Sequence, residues 1–199
     1  MKKFIVGILA LQGDFREHIN ILKKMNIRTK EIKLPGQLDG IDGLIIPGGE
    51  STTIDKLFKK YGFRGKLEEF AKSGKPIFGT CAGLIVLSAA TVNKKKQLSL
   101  IDIDIERNAY GRQIESFEKY IDLNLNHTDR GKKFNSIFIR APKITRTGKN
   151  IKILGRNNGE VVLVRDKNIL VCAFHPELTD DPRIHQYFIT MIIDSLKEK

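Results

Sequence analysis

The residues able to do chemistry in this chain are few and far apart. Cys81 sits in "PIFGTCAGLIVL" (76–87), between Gly79 and Gly83. A short apolar run precedes it and a longer one follows. That order predicts a strand, a sharp turn and a helix, the geometry of a nucleophile elbow. The two glycines leave room for a strained backbone and for a substrate approaching closely. A helix starting just after a cysteine aims its free N–H groups and positive dipole end at the sulfur, which suits a thiolate nucleophile. The N–H of Ala82 is then placed to stabilise an oxyanion. Taken alone, the pattern also fits a small buried core cysteine, since free cysteines are among the most buried residues.

The second group lies near the other end, in "CAFHPEL". His175 and Glu177 are two residues apart, and a segment read as extended points both side chains to one side. Pro176 keeps His175 out of helical conformation. A carboxylate beside an imidazole fixes its tautomer and stabilises the imidazolium. Nucleophile, base and orienting acid together make the logic of acyl transfer. An isolated His-Pro-Glu also reads as a loop turn. Both groups follow apolar strands, and open α/β sheets bind ligands at the carboxyl edge of their strands. A third segment, "PGGES" (47–51), also follows a strand. The backbone N–H of Gly49 could supply the other half of an oxyanion hole, or the loop could be a plain turn capped by Ser51. The two readings are compatible.

The elements that must position these groups follow from hydrophobic periodicity. "KFIVGILAL" reads as a buried strand, "IRTKEIKL" as a more polar one, and "DGLIIPGG" and "KPIFGT" as two more. Between them lie helices. Asp14 is expected to cap the first, with Phe15, Ile19 and Leu22 on its apolar face and His18 half-exposed on the flank. Ser51 is expected to cap "TTIDKLFKKYG", "RGKLEEFAKSG" continues helically, and "AGLIVLSAA" follows Cys81. From Leu98 to Arg165 the pattern shifts to short strands: "LIDIDIE", "YIDLNLN", "SIFIRAP", "IKILG" and "EVVLVRD". "NILVCAFHPE" is a last buried strand. Asp181-Pro182 opens a closing helix with Ile184, Phe188, Met191 and Ile192 facing inward. Repeated βα units predict a mostly parallel, doubly wound sheet with an antiparallel portion, in one α/β domain over residues 1–199.

Composition narrows the function classes. The 199 residues are 41% apolar and 29% charged, ordinary for a soluble globular chain. No apolar run reaches the roughly 20 residues of a membrane span, and the start lacks a signal-peptide cleavage site. Two cysteines, Cys81 and Cys172, argue against a disulfide framework and fit a reducing, cytoplasmic setting. Cys172 reads as a core strand residue. Four scattered histidines give no zinc-ligand spacing. No metal or cofactor is expected. The net charge of +12 invites a nucleic-acid reading. Its lysines are dispersed, however, and the densest run is Lys94-Lys95-Lys96. A solvated basic surface, or a docking face for an acidic protein partner, fits better than nucleic acid or membrane.

With these residues in place, the sequence resembles the class I, triad-type glutamine amidotransferases. Among them it is most similar to the glutaminase subunits of pyridoxal 5′-phosphate synthases. "GILALQGDFREH", "DGLIIPGGESTTI", "GKPIFGTCAGLIVLS", "ERNAYGRQIESFE", "IFIRAP" and "FHPELTDD" stand in the expected order. "RN-x-x-GRQ" and "IRAP" set this group apart from sibling amidotransferases. The resemblance implies a flavodoxin-like three-layer domain. It implies that Cys81 attacks the side-chain amide of glutamine to form a glutamyl-thioester. His175 would shuttle the proton, Glu177 would orient His175, and the N–H groups of Gly49 and Ala82 would hold the oxyanion. Gly49, Glu50, Ser51, Arg107, Ile139 and Arg140 fall on glutamine-binding positions. A guanidinium suits an α-carboxylate, though Arg107 and Arg140 alone could equally be surface residues. Gln12 and His18 fall near the expected interface with a synthase subunit. Two stretches depart from the pattern: a glycine is customary close to Leu98–Leu100, where Ser99 occupies the region, and "VRDKN" (164–168) lacks a customary one. The alternatives are a glutaminase serving another pathway and a non-catalytic basic binding module.

Overall fold

The computed structural model describes residues 4–91, 97–107, 109, 116–125 and 132–198. The run Lys94-Lys95-Lys96 and most of "NAYGRQIE" after Arg107 lie outside the described residues. The first half alternates β1 (Val6–Leu9), α1 (Phe15–Lys24), β2 (Thr29–Ile32), β3 (Gly43–Ile46), α2 (Ser51–Tyr61), α3 (Phe63–Lys72), β4 (Ile77–Thr80) and α4 (Ala82–Leu87). Strands then dominate: β5 (Ala90–Thr91), β6 (Ile103–Glu106), β7 (Ser116–Leu123), β8 (Lys133–Ile139), β9 (Lys143–Thr147), β10 (Lys152–Asn157), β11 (Glu160–Asp166) and β12 (Ile169–Cys172). Helix α5 (Arg183–Lys197) follows.

Nine strands make one sheet in the order β2-β1-β3-β4-β12-β11-β10-β7-β8. The first five are mutually parallel. The other four extend the sheet antiparallel. Every residue of β1, β3, β4 and β12 is buried, as strands covered on both faces must be. Alternation along the strands assigns the two layers. Gly43 and Phe78 face α5: a Cβ on Gly43 would stand 2.4 Å from Ile192, and Phe78 meets Phe188 at 5.6 Å between ring centroids. His18 of α1 packs on the same face of Phe78. Gly79 faces the opposite layer, against Leu87 of α4.

The antiparallel portion matters because it curls. β8 lies four places from β12 in the sheet order. Yet Ile137 O in β8 accepts the His175 N–H at 2.8 Å, and Phe134 and Phe138 both pack on Phe174. The end of β8 thus returns over the exits of β4 and β12. A separate sheet, β5-β6-β9, was only partly expected. "KITRT" has no apolar alternation, and β9 forms through pairing with β6. The helix after Cys81 is also shorter than expected. It stops at Leu87 because Ser88 turns extended and Ala89 N–H bonds Ile103 O at 3.0 Å, feeding β5.

The two departures in the loops have a backbone consequence. Ser99 has φ 56° and Lys167 φ 47°, both in the left-handed region that glycine favours. Lys167 is the first residue of the two-residue loop joining Asp166 to Ile169, where a tight hairpin favours glycine. Its left-handed backbone costs about 1–2 kcal/mol, against about 0.5–1 kcal/mol for the extra unfolded-chain entropy of glycine. Lys167→Gly is expected to raise the unfolding free energy by roughly 0.5–1 kcal/mol, read from urea denaturation. A destabilised variant would show that the exposed side chain, not the backbone, sets this turn.

Candidate active site

Four strands deliver the site at their carboxyl ends: β1 leads to Gln12 and Asp14, β3 to Gly48-Gly49, β4 to Cys81 and β12 to His175. Cys81 is the elbow. Its backbone, φ 47° and ψ −99°, is one that L side chains rarely adopt. The elbow is held by a bond from Cys81 N–H to Cys172 O at 2.9 Å. The flanking glycines serve packing and leave no open space for substrate, which corrects the sequence expectation. A Cβ on Gly79 would meet Leu87 at 2.7 Å, and one on Gly83 would stand 2.1 Å from Ile46 O. Only glycine lets α4 lie that close to β3 and β4.

His175 and Glu177 do meet, though not by the extended geometry expected. Pro176–Leu178 form a single 3-10 turn, with Pro176 at its first position and His175 just before it. The proline ring is pre-set for such a turn. His175 Nδ1–H donates to Glu177 Oε1 at 2.8 Å, while the Cys81 thiol donates to Ile139 O of β8 at 3.8 Å. Glu177 is buried, as is His175.

Asp14 was expected as a helix cap, and its side chain makes no capping bond. Its Oδ2 instead lies 3.3 Å from His175 Nδ1. The sequence reading missed this second carboxylate; the signal available was its place two residues after Gln12, at the end of a buried strand. Burial opposes charge on His175, but Asp14, Cys81 and Glu177 outweigh it and push its pKa up to about 12. Burial also pushes the Glu177 carboxyl up, offset in part by the His175 hydrogen bond. His175 beside two carboxylates is read as an imidazolium. Asp14, His175 and Glu177 place their ligand atoms within 4.8 Å of one another. With both carboxylates already directed at Nδ1, that set is accounted for by orienting the ring.

Gly48 and Gly49 form the facing wall. A Cβ on Gly48 would stand 2.3 Å from the His175 ring. Gly49 has φ 136°, and its missing side chain is where the Gln12 amide lies. Gln12 Oε1 accepts the Glu50 N–H at 3.0 Å. The cap of α2 is Glu50, not Ser51. Its carboxylate accepts Thr52 N–H at 3.1 Å and Thr53 N–H at 2.9 Å, and both hydroxyls bond it as well. Those donors, the Thr52 and Thr53 side chains first, draw the Glu50 pKa down to about 2. Ser51 is the first helical residue.

Asp14, Gly49, Glu50, Ser51, Cys81, Ile85, Arg107, Ile139, Arg140 and His175 line one cavity of about 330 Å³. Ala82 begins α4 beside it. Arg107 and Arg140 are exposed at its rim, and Arg140 has φ 42° at the end of β8. Ile139 and Arg140, far from either end of the chain, thus reach the elbow through the curl of the antiparallel strands. Of the two interface candidates, Gln12 stands against the glycine loop. His18 is fully buried and offers no surface to a partner; its side chain lies behind Glu177.

The fold has solved counterparts. A crystal structure described as a glutamine amidotransferase superposes with a TM-score of 0.87 at 43% identity, over 94% of this chain and 98% of that one. PurLQS from Thermotoga maritima shares the fold at 16% identity, with a TM-score of 0.71. The architecture is that of a class I glutamine amidotransferase. The chain is 50% identical over 188 residues to the pyridoxal 5′-phosphate synthase subunit PdxT of Thermotoga petrophila, covering 94% of this chain and 98% of that protein. It is 46% identical over 188 residues to PdxT of Brevibacillus brevis, covering 94% and 96%. Residues 8–194 match the SNO glutamine amidotransferase family, and the chain belongs to it.

The Asp14 contact has a pH signature. The hydrogen bond from His175 holds the Asp14 carboxyl below its usual range, against the effect of burial. A depressed acid contributes stability above its unfolded pKa, lost as pH falls through the folded value. With its side chain 39% exposed, the contribution is about 1 kcal/mol or less after solvent screening. Asp14→Asn is expected to be less stable than wild type at pH 7, with the gap closing below about pH 4. An undiminished gap at pH 3 would dismiss the contact.

Proposed function

We propose that this chain hydrolyses L-glutamine to L-glutamate and ammonia, and hands the ammonia to the synthase (lyase) subunit of a pyridoxal 5′-phosphate synthase in the cytoplasm. Residues 1–199 act as one glutaminase domain. The observation that carries the reading is the union of an elbow cysteine, a hydrogen-bonded His175–Glu177 pair and the Gly48-Gly49 loop around one cavity, in a chain half identical to PdxT. Among the described residues, no helix is long and apolar enough to cross a membrane.

With the Cys81 thiol proton held on His175, Sγ attacks the side-chain amide carbon of glutamine, and the N–H groups of Gly49 and Ala82 hold the oxyanion. His175 gives its proton to the departing nitrogen, so ammonia leaves and a thioester on Cys81 remains. Water attacks the thioester as His175 takes one of its protons, the C–S bond breaks, and glutamate leaves, its carboxyl proton going to solvent and Sγ and the protonated His175 restored. Glu177 keeps His175 in the tautomer and orientation this requires. Arg107 and Arg140 at the rim grip the α-carboxylate, with Ser51, Ile139 and the backbone of Glu50 completing the substrate site. Gln12, which rests on Gly49 and holds the Glu50 N–H, gives a docked synthase subunit a handle on the oxyanion loop.

Two outcomes test the reading. Cys81→Ala is expected to abolish ammonia release from glutamine while the circular dichroism spectrum stays native; release by the folded variant would refute the nucleophile. Wild-type chain is expected to hydrolyse glutamine slowly alone and at least about tenfold faster with saturating synthase subunit, a barrier change of only about 1.4 kcal/mol. Equal rates would show the oxyanion loop preformed and uncoupled from the partner.

A further inference from the structure

Behind Glu177 lies a polar chain that the reaction as derived does not use. Glu177 Oε1 takes the His175 hydrogen bond, while Oε2 is buried without a hydrogen-bond partner among the described residues. Its neighbour is His18 Nε2, at 3.5 Å. Both side chains are fully inaccessible to solvent. The other ring nitrogen, His18 Nδ1, lies 2.9 Å from His185 Nε2, and His18 Nε2 is also 3.3 Å from Thr80 Oγ1. His185 is fully buried too, and its Nδ1 has no partner among the described residues. Two helices from opposite ends of the chain, α1 and α5, therefore each send a histidine to the back of the site.

The direction of this chain can be decided. A neutral imidazole carries one N–H and one lone pair. Burial holds both rings neutral, pulling His18 well down and His185 to about 3. If His185 Nδ1 carried the proton, a buried N–H would lack an acceptor, and orphaned donors are the rarer and costlier defect. Its proton therefore belongs on Nε2, which donates to His18 Nδ1. That leaves His18 with its proton on Nε2, directed at Glu177 Oε2 and Thr80 Oγ1. The opposite tautomer would set a ring lone pair against a buried carboxylate, a repulsive contact in a low dielectric.

We propose that His18 is a positioning residue of this site, donating from Nε2 to Glu177 Oε2, with His185 fixing its tautomer. The relay runs His185, His18, Glu177, His175. It supplies the second carboxylate oxygen with a donor, so that Oε1 keeps its line to His175 Nδ1. It moves no proton of its own, because His18 stays neutral. Its place on α1, six residues after Gln12, joins the orienting acid to the element that also holds the oxyanion loop.

The inference rests on the glutaminase reading of the Cys81 site, and its test separates the two. Nitrogen-15 NMR of histidine-labelled protein reads the tautomers without substrate: His18 and His185 are expected protonated on Nε2 and bare on Nδ1. His18→Leu, close in volume, is expected to lower kcat by about 10–100-fold, the usual effect of losing a group that orients a reacting side chain. KM for glutamine should stay within about twofold, since no substrate contact is removed. His18→Gln, whose amide nitrogen reaches the place of Nε2, should recover most of kcat. Protonation of His18 on Nδ1 would overturn the relay whether or not any variant folds. So would a folded His18→Leu with wild-type kcat, or a His18→Gln no better than His18→Leu. Absence of glutamine hydrolysis by the wild-type chain, alone and with the synthase subunit, would instead sink the glutaminase reading and leave the tautomers as measured.

Discussion

The Glu177 side chain has no exposure to water, and a carboxylate there is tolerable only with its oxygens matched by donors. His175 Nδ1–H matches one oxygen at 2.8 Å, and the resulting ion pair is what the surrounding elements keep in place. β12 carries His175 to the sheet edge, the Pro176 turn swings Glu177 back under the ring, and β8 clamps the His175 backbone through Ile137. Removing any one of these would leave a charge buried and unpartnered. That is among the costliest single defects a protein interior can carry.

The same economy of space governs Cys81. Cys81 stands at a left-handed backbone position that no favourable local term maintains. It persists because β4 and β12 fix the entry, through the Cys81 N–H to Cys172 O bond, and because α4 seats on β3 with no room for a side chain at Gly83. Strain at a functional position is stable only when the surroundings over-determine it. Asp14 and Gln12 belong to the same frame: one loop after β1 sends a carboxylate to His175 and an amide to Gly49. A displacement of that loop would reach His175 and the Gly48-Gly49 wall together.

Several of these features were legible without a structure. The parallel core was, because strands buried on both faces must be continuous apolar runs, and "IVGILAL", "GLII" and "ILVC" are. The elbow was, because a strand, a cysteine between near glycines and an apolar run have few other arrangements. The placing of His175 and Glu177 was legible as residue types, since His-Pro-Glu after a buried strand can lie only at the carboxyl edge. Strand β9 was not, since "KITRT" has a polar pattern and forms only by pairing with β6. The caps of α1 and α2 were misassigned for a related reason. Asp14 and Ser51 are good cap residues locally, but Asp14 is drawn to His175, and Glu50 outcompetes Ser51 for the free N–H groups of Thr52 and Thr53.

The sequence by itself determined the elements, the doubly wound order and which residue types could react. Local propensity and hydrophobic period are properties of neighbouring residues, and they survive being read one segment at a time. Only the tertiary structure decided which side chains face one another. It turned Asp14 from a cap into a partner of His175, and His18 from a surface candidate into a buried neighbour of Glu177. It brought the end of β8 across four intervening places in the sheet to the elbow. Such contacts depend on the curl and packing of distant segments, where a donor's partner is set by distance in space and burial, and neither is written in the order of residues along the chain.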